Sequence, residues 1–131
     1  MGKKAILCVD DESIILDSLK EQIQNKLGSE YIYETAENAE EGLEVIEELV
    51  EDDTEVLIIV SDWLMPGIKG DEFLIEVHKK FPGIVKVMLT GQASEDAITN
   101  AKENADLHAC LFKPWKEDEL ISTIKEGLKK L

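Results

Sequence analysis

Five short apolar segments alternate with longer stretches of helical period along the chain, and that alternation leaves few architectures open. Ala5–Val9 is continuously apolar and stops abruptly at Asp10-Asp11, as a strand covered on both faces should. Tyr31–Ala36 is a more polar second strand, which suits a sheet edge. Val56–Val60 is the most hydrophobic segment and predicts the central strand, with Val85–Leu89 and Ala109–Phe112 as the fourth and fifth. Between them lie predicted helices over Ser13–Leu27, Asn38–Asp53, Asp71–Phe81, Ser94–Asn104 and Lys116–Leu131. In the first, Ile15, Leu19, Ile23 and Leu27 form an apolar stripe; in the second, Leu43, Ile46, Leu49 and Val50 do. The expected fold is α/β: one doubly wound, five-stranded parallel sheet with five helices. Its expected strand order is flavodoxin-like, 2-1-3-4-5, because the third strand reads as central and the second as an edge.

A chain of 131 residues is the size of one domain, and residues 1–131 are expected to form a single unit. Its 14 basic residues, all lysines, face 29 acidic ones, for a net charge of −15. Such a surface repels phosphate backbones and anionic lipids, so neither nucleic acid nor membrane is an expected partner. The longest apolar run, Val56 to Met65, is broken by Ser61 and Asp62 and is too short to span a bilayer. Cys8 and Cys110 lie far apart inside apolar runs, as small buried hydrophobes of a reducing compartment do. A soluble, cytoplasmic protein is expected. The glutamate-rich face of the second helix is read as solvated surface, and His78 and His108 as ordinary exposed histidines.

In a parallel sheet of this kind, ligands lie beyond the carboxyl ends of the strands. Asp10-Asp11-Glu12 follows strand one, Ser61-Asp62-Trp63 strand three, Thr90-Gly91-Gln92 strand four and Lys113-Pro114-Trp115 strand five. One sheet edge thereby gathers three aspartates, a hydroxyl and an amine. Crowded carboxylates call for a cation, and a hard oxygen set without His or Cys favours Mg²⁺. Lysine and threonine suit the remaining oxygens of a phosphoryl group. No nucleotide cradle is present, neither G-x-x-x-x-G-K-[ST] nor G-x-G-x-x-G, so a carboxylate nucleophile that forms an acyl phosphate is the economical solution. Asp62, at the end of the central strand, is the best placed.

These motifs resemble those of the receiver domain of two-component response regulators, from about Lys4 to Leu131. The resemblance rests on Asp10-Asp11, Asp62-Trp63-Leu64-Met65-Pro66-Gly67, Thr90-Gly91 and Lys113-Pro114. It implies that Asp62 accepts a phosphoryl group from a phosphohistidine of a histidine kinase or histidine phosphotransfer protein. It implies that Asp11, Asp62 and the Leu64 backbone carbonyl ligate Mg²⁺ directly, with Asp10 acting through a water. Thr90 and Lys113 then bind phosphoryl oxygens, and the Lys113-Pro114 peptide is cis. Catalysis is confined to the domain's own phosphorylation and dephosphorylation. The surface of helix four, strand five and helix five would carry the signal to an output domain or partner of unknown identity.

Two departures and two alternatives accompany that resemblance. Midway along strand five, where family members often carry Tyr or Phe, stands Cys110, so the aromatic switch is absent or replaced. Leu64, two residues past Asp62, is apolar where a polar side chain could orient a hydrolytic water, which predicts a moderately long-lived acyl phosphate. Gln92 is the other residue placed for that task. The alternatives are an interaction module of receiver fold that is never phosphorylated and an aspartate-nucleophile phosphatase. The haloacid-dehalogenase type of phosphatase places a second acid where this chain has Leu64.

Overall fold

The computed structural model describes residues 2–131. Its elements run β1 (Lys3–Val9), α1 (Ser13–Leu27), a short 3₁₀ turn (Gly28–Glu30), β2 (Ile32–Ala36), α2 (Ala39–Glu51) and β3 (Thr54–Asp62). They continue as α3 (Gly70–Lys80), β4 (Val85–Thr90), α4 (Glu95–Ala105), β5 (Ala109–Phe112) and α5 (Glu117–Leu128). All strand pairs are parallel, in the order β2-β1-β3-β4-β5, the flavodoxin-like winding expected from the sequence.

The continuous apolar runs of β1 and β3 follow from burial on both faces. Ala5, Leu7 and Val9 point to the layer of α2, α3 and α4, with Ile59, Phe73, Leu74 and Met88. Ile6 and Cys8 point to the other layer, where α1 and α5 contribute Leu19, Ile23, Leu120 and Ile124. The cysteines lie in different layers. Cys8 is buried with its thiol pushed up to about 12 by burial, which suits a small core hydrophobe. Cys110 is half-buried on the α3–α4 side.

The helices depart from their expected faces in two places. In α1 the buried residues are Leu16, Leu19 and Ile23, while Ile15 and Leu27 are only partly buried. A stripe repeating every four residues drifts about 40° around the helix at each step, so its ends rotate off the core. In α2 the inward face is Ala39, Gly42, Ile46 and Leu49, and Val50 is exposed. Gly42 is required there because a Cβ would lie 2.9 Å from the Phe73 ring of α3. The N-terminus of α2 is capped by Asn38, whose side-chain oxygen accepts from the Glu41 N–H at 2.8 Å. Replacing Asn38 with Ala should lower unfolding stability by about 1 kcal/mol. A urea midpoint equal to that of the parent would show that the cap carries no weight.

The two histidines are not ordinary surface groups. Both are half-buried, and each has a buried Nδ1 with no protein partner. His108 packs between β4 and α5: its backbone N–H donates to the Lys86 carbonyl at 2.8 Å. Its Nε2 lies 3.1 Å from the Thr123 carbonyl, which can only accept, so the proton sits on Nε2. No helix among the described residues is long and apolar enough to cross a membrane.

Candidate functional site

Two of the strands extend further than their apolar runs. β3 continues through Ser61 to Asp62, and β4 through Leu89 to Thr90, held by the ladder pairs Asp62–Leu89 and Thr90–Phe112. Parallel pairing satisfies the backbone of these polar residues, so they are buried as strand ends rather than released into loops. Asp62 is 6% exposed and Thr90 fully buried. β1 ends one residue before Asp10, whose N–H donates to the Ala36 carbonyl of β2 at 3.1 Å. The Lys113 N–H donates to the Thr90 carbonyl at 3.0 Å, which ties the loop after β5 to the end of β4. The Lys113–Pro114 peptide is cis.

These ends bring the sequence-predicted side chains into one cleft of about 290 Å³, lined by Asp11, Glu12, Asp62, Leu64, Thr90, Gly91, Gln92 and Lys113. One carboxylate oxygen from each of Asp10, Asp11 and Asp62 lies within 4.8 Å of the others. Asp10 is buried. Its Oδ1 accepts from the Glu12 N–H at 2.9 Å, and its Oδ2 accepts from Lys113 Nζ at 2.8 Å. The Asp62 Oδ1 accepts from the Trp63 N–H at 2.9 Å and lies 3.3 Å from the same Lys113 ammonium. The Thr90 Oγ1 accepts from the Gln92 N–H at 3.1 Å, leaving its own O–H free to donate into the cleft.

Charge is unevenly balanced in this cluster. Burial and then the neighbouring Asp10 raise the Asp62 pKa above its ordinary value, against a partial offset from Lys113 and the Trp63 N–H. Burial works to lower the Lys113 pKa, but the hydrogen bond and charge of Asp10, then those of Asp62, outweigh it and leave the ammonium pKa raised. One lysine therefore serves two buried carboxylates, with Asp11 exposed at the rim. Convergent carboxylate oxygens with surplus negative charge and no nitrogen or sulfur donor fit a hard divalent cation such as Mg²⁺.

Sequence reasoning missed what holds the site from behind. Trp63 does not simply stand beside Asp62. Its Nε1–H donates to Asp71 Oδ1 at 3.0 Å, and Asp71, at the start of α3, is buried. The nearest sequence signal was an acid in the first turn of a helix, which normally marks only favourable helix-end charge. Trp115 donates from Nε1 to the Gln22 side chain at 2.8 Å and so fastens the loop after β5 to α1.

The sequence pattern of the family described as "Response regulator receiver domain" matches residues 6–125. The hydrogenase transcriptional regulatory protein HoxA of Cupriavidus necator is 33% identical over 124 residues, covering 94% of this chain and 24% of that protein. The sensor kinase CckA of Brucella abortus is 32% identical over 129 residues, covering 98% of this chain and 13% of its own length. This chain thus spans a quarter or less of these two curated relatives. Among solved structures, a response regulator receiver domain protein (CheY-like) from Methanospirillum hungatei superposes with a TM-score of 0.85 at 35% identity. That match covers 98% of this chain and 96% of that one.

Proposed function

Because this chain belongs to the response regulator receiver domain family, we propose that Asp62 accepts a phosphoryl group from a phosphohistidine of a sensor kinase or histidine phosphotransfer protein. The supporting observation is the meeting of a buried carboxylate with an ammonium 3.3 Å away, two further aspartates and a free hydroxyl, in a cleft open to a donor. An Asp62 carboxylate oxygen attacks phosphorus in line, the P–N bond breaks, and its electron pair stays on the imidazole nitrogen. Lys113 lies close enough to both buried aspartates to hold the acceptor in place and then to donate to a phosphoryl oxygen. Thr90 O–H donates to another. Asp11, Asp62 and the Leu64 carbonyl, with Asp10 beside them, would hold a Mg²⁺ ion, which would supply further positive charge for those oxygens. The domain acts only on itself, its site of action is the cytoplasm, and the α4–β5–α5 surface presents the result to an output domain or partner.

The test is intact mass after acetyl phosphate and Mg²⁺, beside Asp62→Asn. One added phosphoryl group is expected in the unsubstituted chain and none in the variant. With Leu64 two-fifths exposed and bare of polar atoms, the adduct should persist well beyond seconds after the phosphodonor is removed. No mass gain would leave an interaction module of receiver fold. Continuous release of phosphate from the donor without an accumulating adduct would favour the phosphatase alternative.

A further inference from the structure

A chain of hydrogen bonds leads from the proposed acceptor to the middle of α4. The Trp63 N–H donates to Asp62 Oδ1 at 2.9 Å, and the Trp63 indole N–H to Asp71 Oδ1 at 3.0 Å. The other Asp71 oxygen accepts from Asn100 Nδ2 at 2.9 Å, and Asn100 Oδ1 accepts from Asn104 Nδ2 at 2.8 Å. Asp71 is 8% exposed, and its two oxygens answer to two different elements. Asn100 and Asn104 belong to α4.

Three features make this chain of contacts more than local bonding. Gly70, immediately before Asp71, donates its N–H to the Trp63 carbonyl at 2.8 Å, and a Cβ added there would run into the Asp62 backbone. The start of α3 is thereby registered to the acceptor strand. Helix α4 fully buries only Ala97, Ala101 and Ala105, with Ile98 partly buried beside them, so its apolar anchoring is small and polar ties to α3 weigh more. On the same side of the sheet, Cys110 of β5 packs a small thiol against the core layer that holds Ala101 and Ala105 of α4.

We propose that Trp63, Asp71 and Asn100 form the connection through which the state of Asp62 reaches α4, in place of a swinging aromatic on β5. This rests on the phosphoacceptor reading. When either Asp62 oxygen becomes the ester oxygen of an acyl phosphate, both lose the carboxylate charge. The Trp63 N–H then loses a charge-assisted acceptor. The loop after β3 readjusts, the indole–Asp71 bond readjusts with it, and the hold on Asn100 changes. By linkage, a partner that grips α4 alters the acceptor's phosphorylation equilibrium through the same residues. Asp71 and Asn100 are positioning residues, since neither touches the reacting atoms.

The experiment compares hydrogen exchange of α4 amides with and without beryllofluoride and Mg²⁺ in the unsubstituted chain, Trp63→Phe, Asn100→Ala and the double variant. Phosphoryl uptake from acetyl phosphate is followed in each by intact mass. The unsubstituted chain should change α4 exchange by about fivefold or more between the two states. Either single variant should reduce that difference below about twofold with phosphoryl uptake retained, and the double variant should do no more than one alone. A merely structural role would loosen α4 equally in both states and preserve the difference; that result overturns the proposal. So does an additive double variant. Absence of phosphoryl uptake in the unsubstituted chain removes the phosphoacceptor reading itself, a failure distinct from uptake with an α4 response that survives both substitutions.

Discussion

Replacing Lys113 with Ala is expected to destabilise the protein by about 3 kcal/mol in magnesium-free buffer, because it strips the cation from two buried carboxylates. Asp10 is 1% exposed, and its Oδ2 has Lys113 as its hydrogen-bond donor; Asp62 shares the same ammonium. Removing one partner of a buried ion pair leaves the other's desolvation uncompensated, which is far worse than removing the pair together. Asp62→Asn should act in the opposite direction and raise the melting temperature, since burial and Asp10 already disfavour its charge. Added Mg²⁺ should stabilise the parent chain more than Asp62→Asn. Lys113→Ala and Asp62→Asn changing stability in the same direction would show that the cluster's charges are balanced in some other way.

The same cluster sets a pH dependence whose sign is unusual for an aspartate. Asp62 holds its proton more tightly folded than unfolded. Its contribution therefore makes stability fall as pH rises from the ordinary carboxylate value of 3.8 through its raised value. Asp62→Asn should flatten that stretch of a urea-midpoint profile. Lys113 adds a second fall of the same sign at the alkaline end. Its raised pKa adds stability that is complete below the ordinary value of 10.5 and disappears as pH climbs through the raised one. Both effects belong to one site but occupy separate pH windows, so they can be read independently.

The strand order and the gathering of Asp10, Asp11, Asp62 and Lys113 were legible in the sequence because both depend on local pattern. Apolar runs of fixed length end in polar residues, and parallel winding sends those ends to one edge. What escaped depends on distances between elements. Lys86 lies in the middle of an apolar run yet is 1% exposed. It is tolerated because its Nζ donates to the Ile84 carbonyl at 2.7 Å, while burial lowers its pKa and Asp106 works against that. Nothing in the order of residues around Asp71 announces Asn100, 29 positions later. The drift of the α1 stripe from Ile15 to Leu16 shows the same limit at smaller scale. Periodicity locates a helix well but fixes its rotation only once it meets a sheet.

Gly70→Ala should be among the most damaging single changes in the chain, at about 3 kcal/mol, the upper end of overpacking losses. A Cβ at this position would stand 2.3 Å from the Asp62 carbonyl oxygen and 2.7 Å from the Trp63 Cα. Both are backbone atoms, one of them in the last residue of a central strand, so neither can swing aside as a side chain tip would. The loop of residues 63–69 must close tightly because the Gly70 N–H returns to the Trp63 carbonyl at 2.8 Å. Gly67, in the same loop, is a useful contrast. It adopts φ +81° but has open space around a Cβ, so Gly67→Ala should lose only about 1 kcal/mol from the backbone conformation. Because Gly70 presses on the strand that ends in Asp62, its substitution should also slow phosphoryl uptake in the fraction that remains folded, whereas Gly67→Ala should not. Equal melting temperatures for the two variants would mean that the start of α3 can move away from β3, and that Asp71 is less firmly registered to Asp62 than the 2.8 Å backbone bond implies.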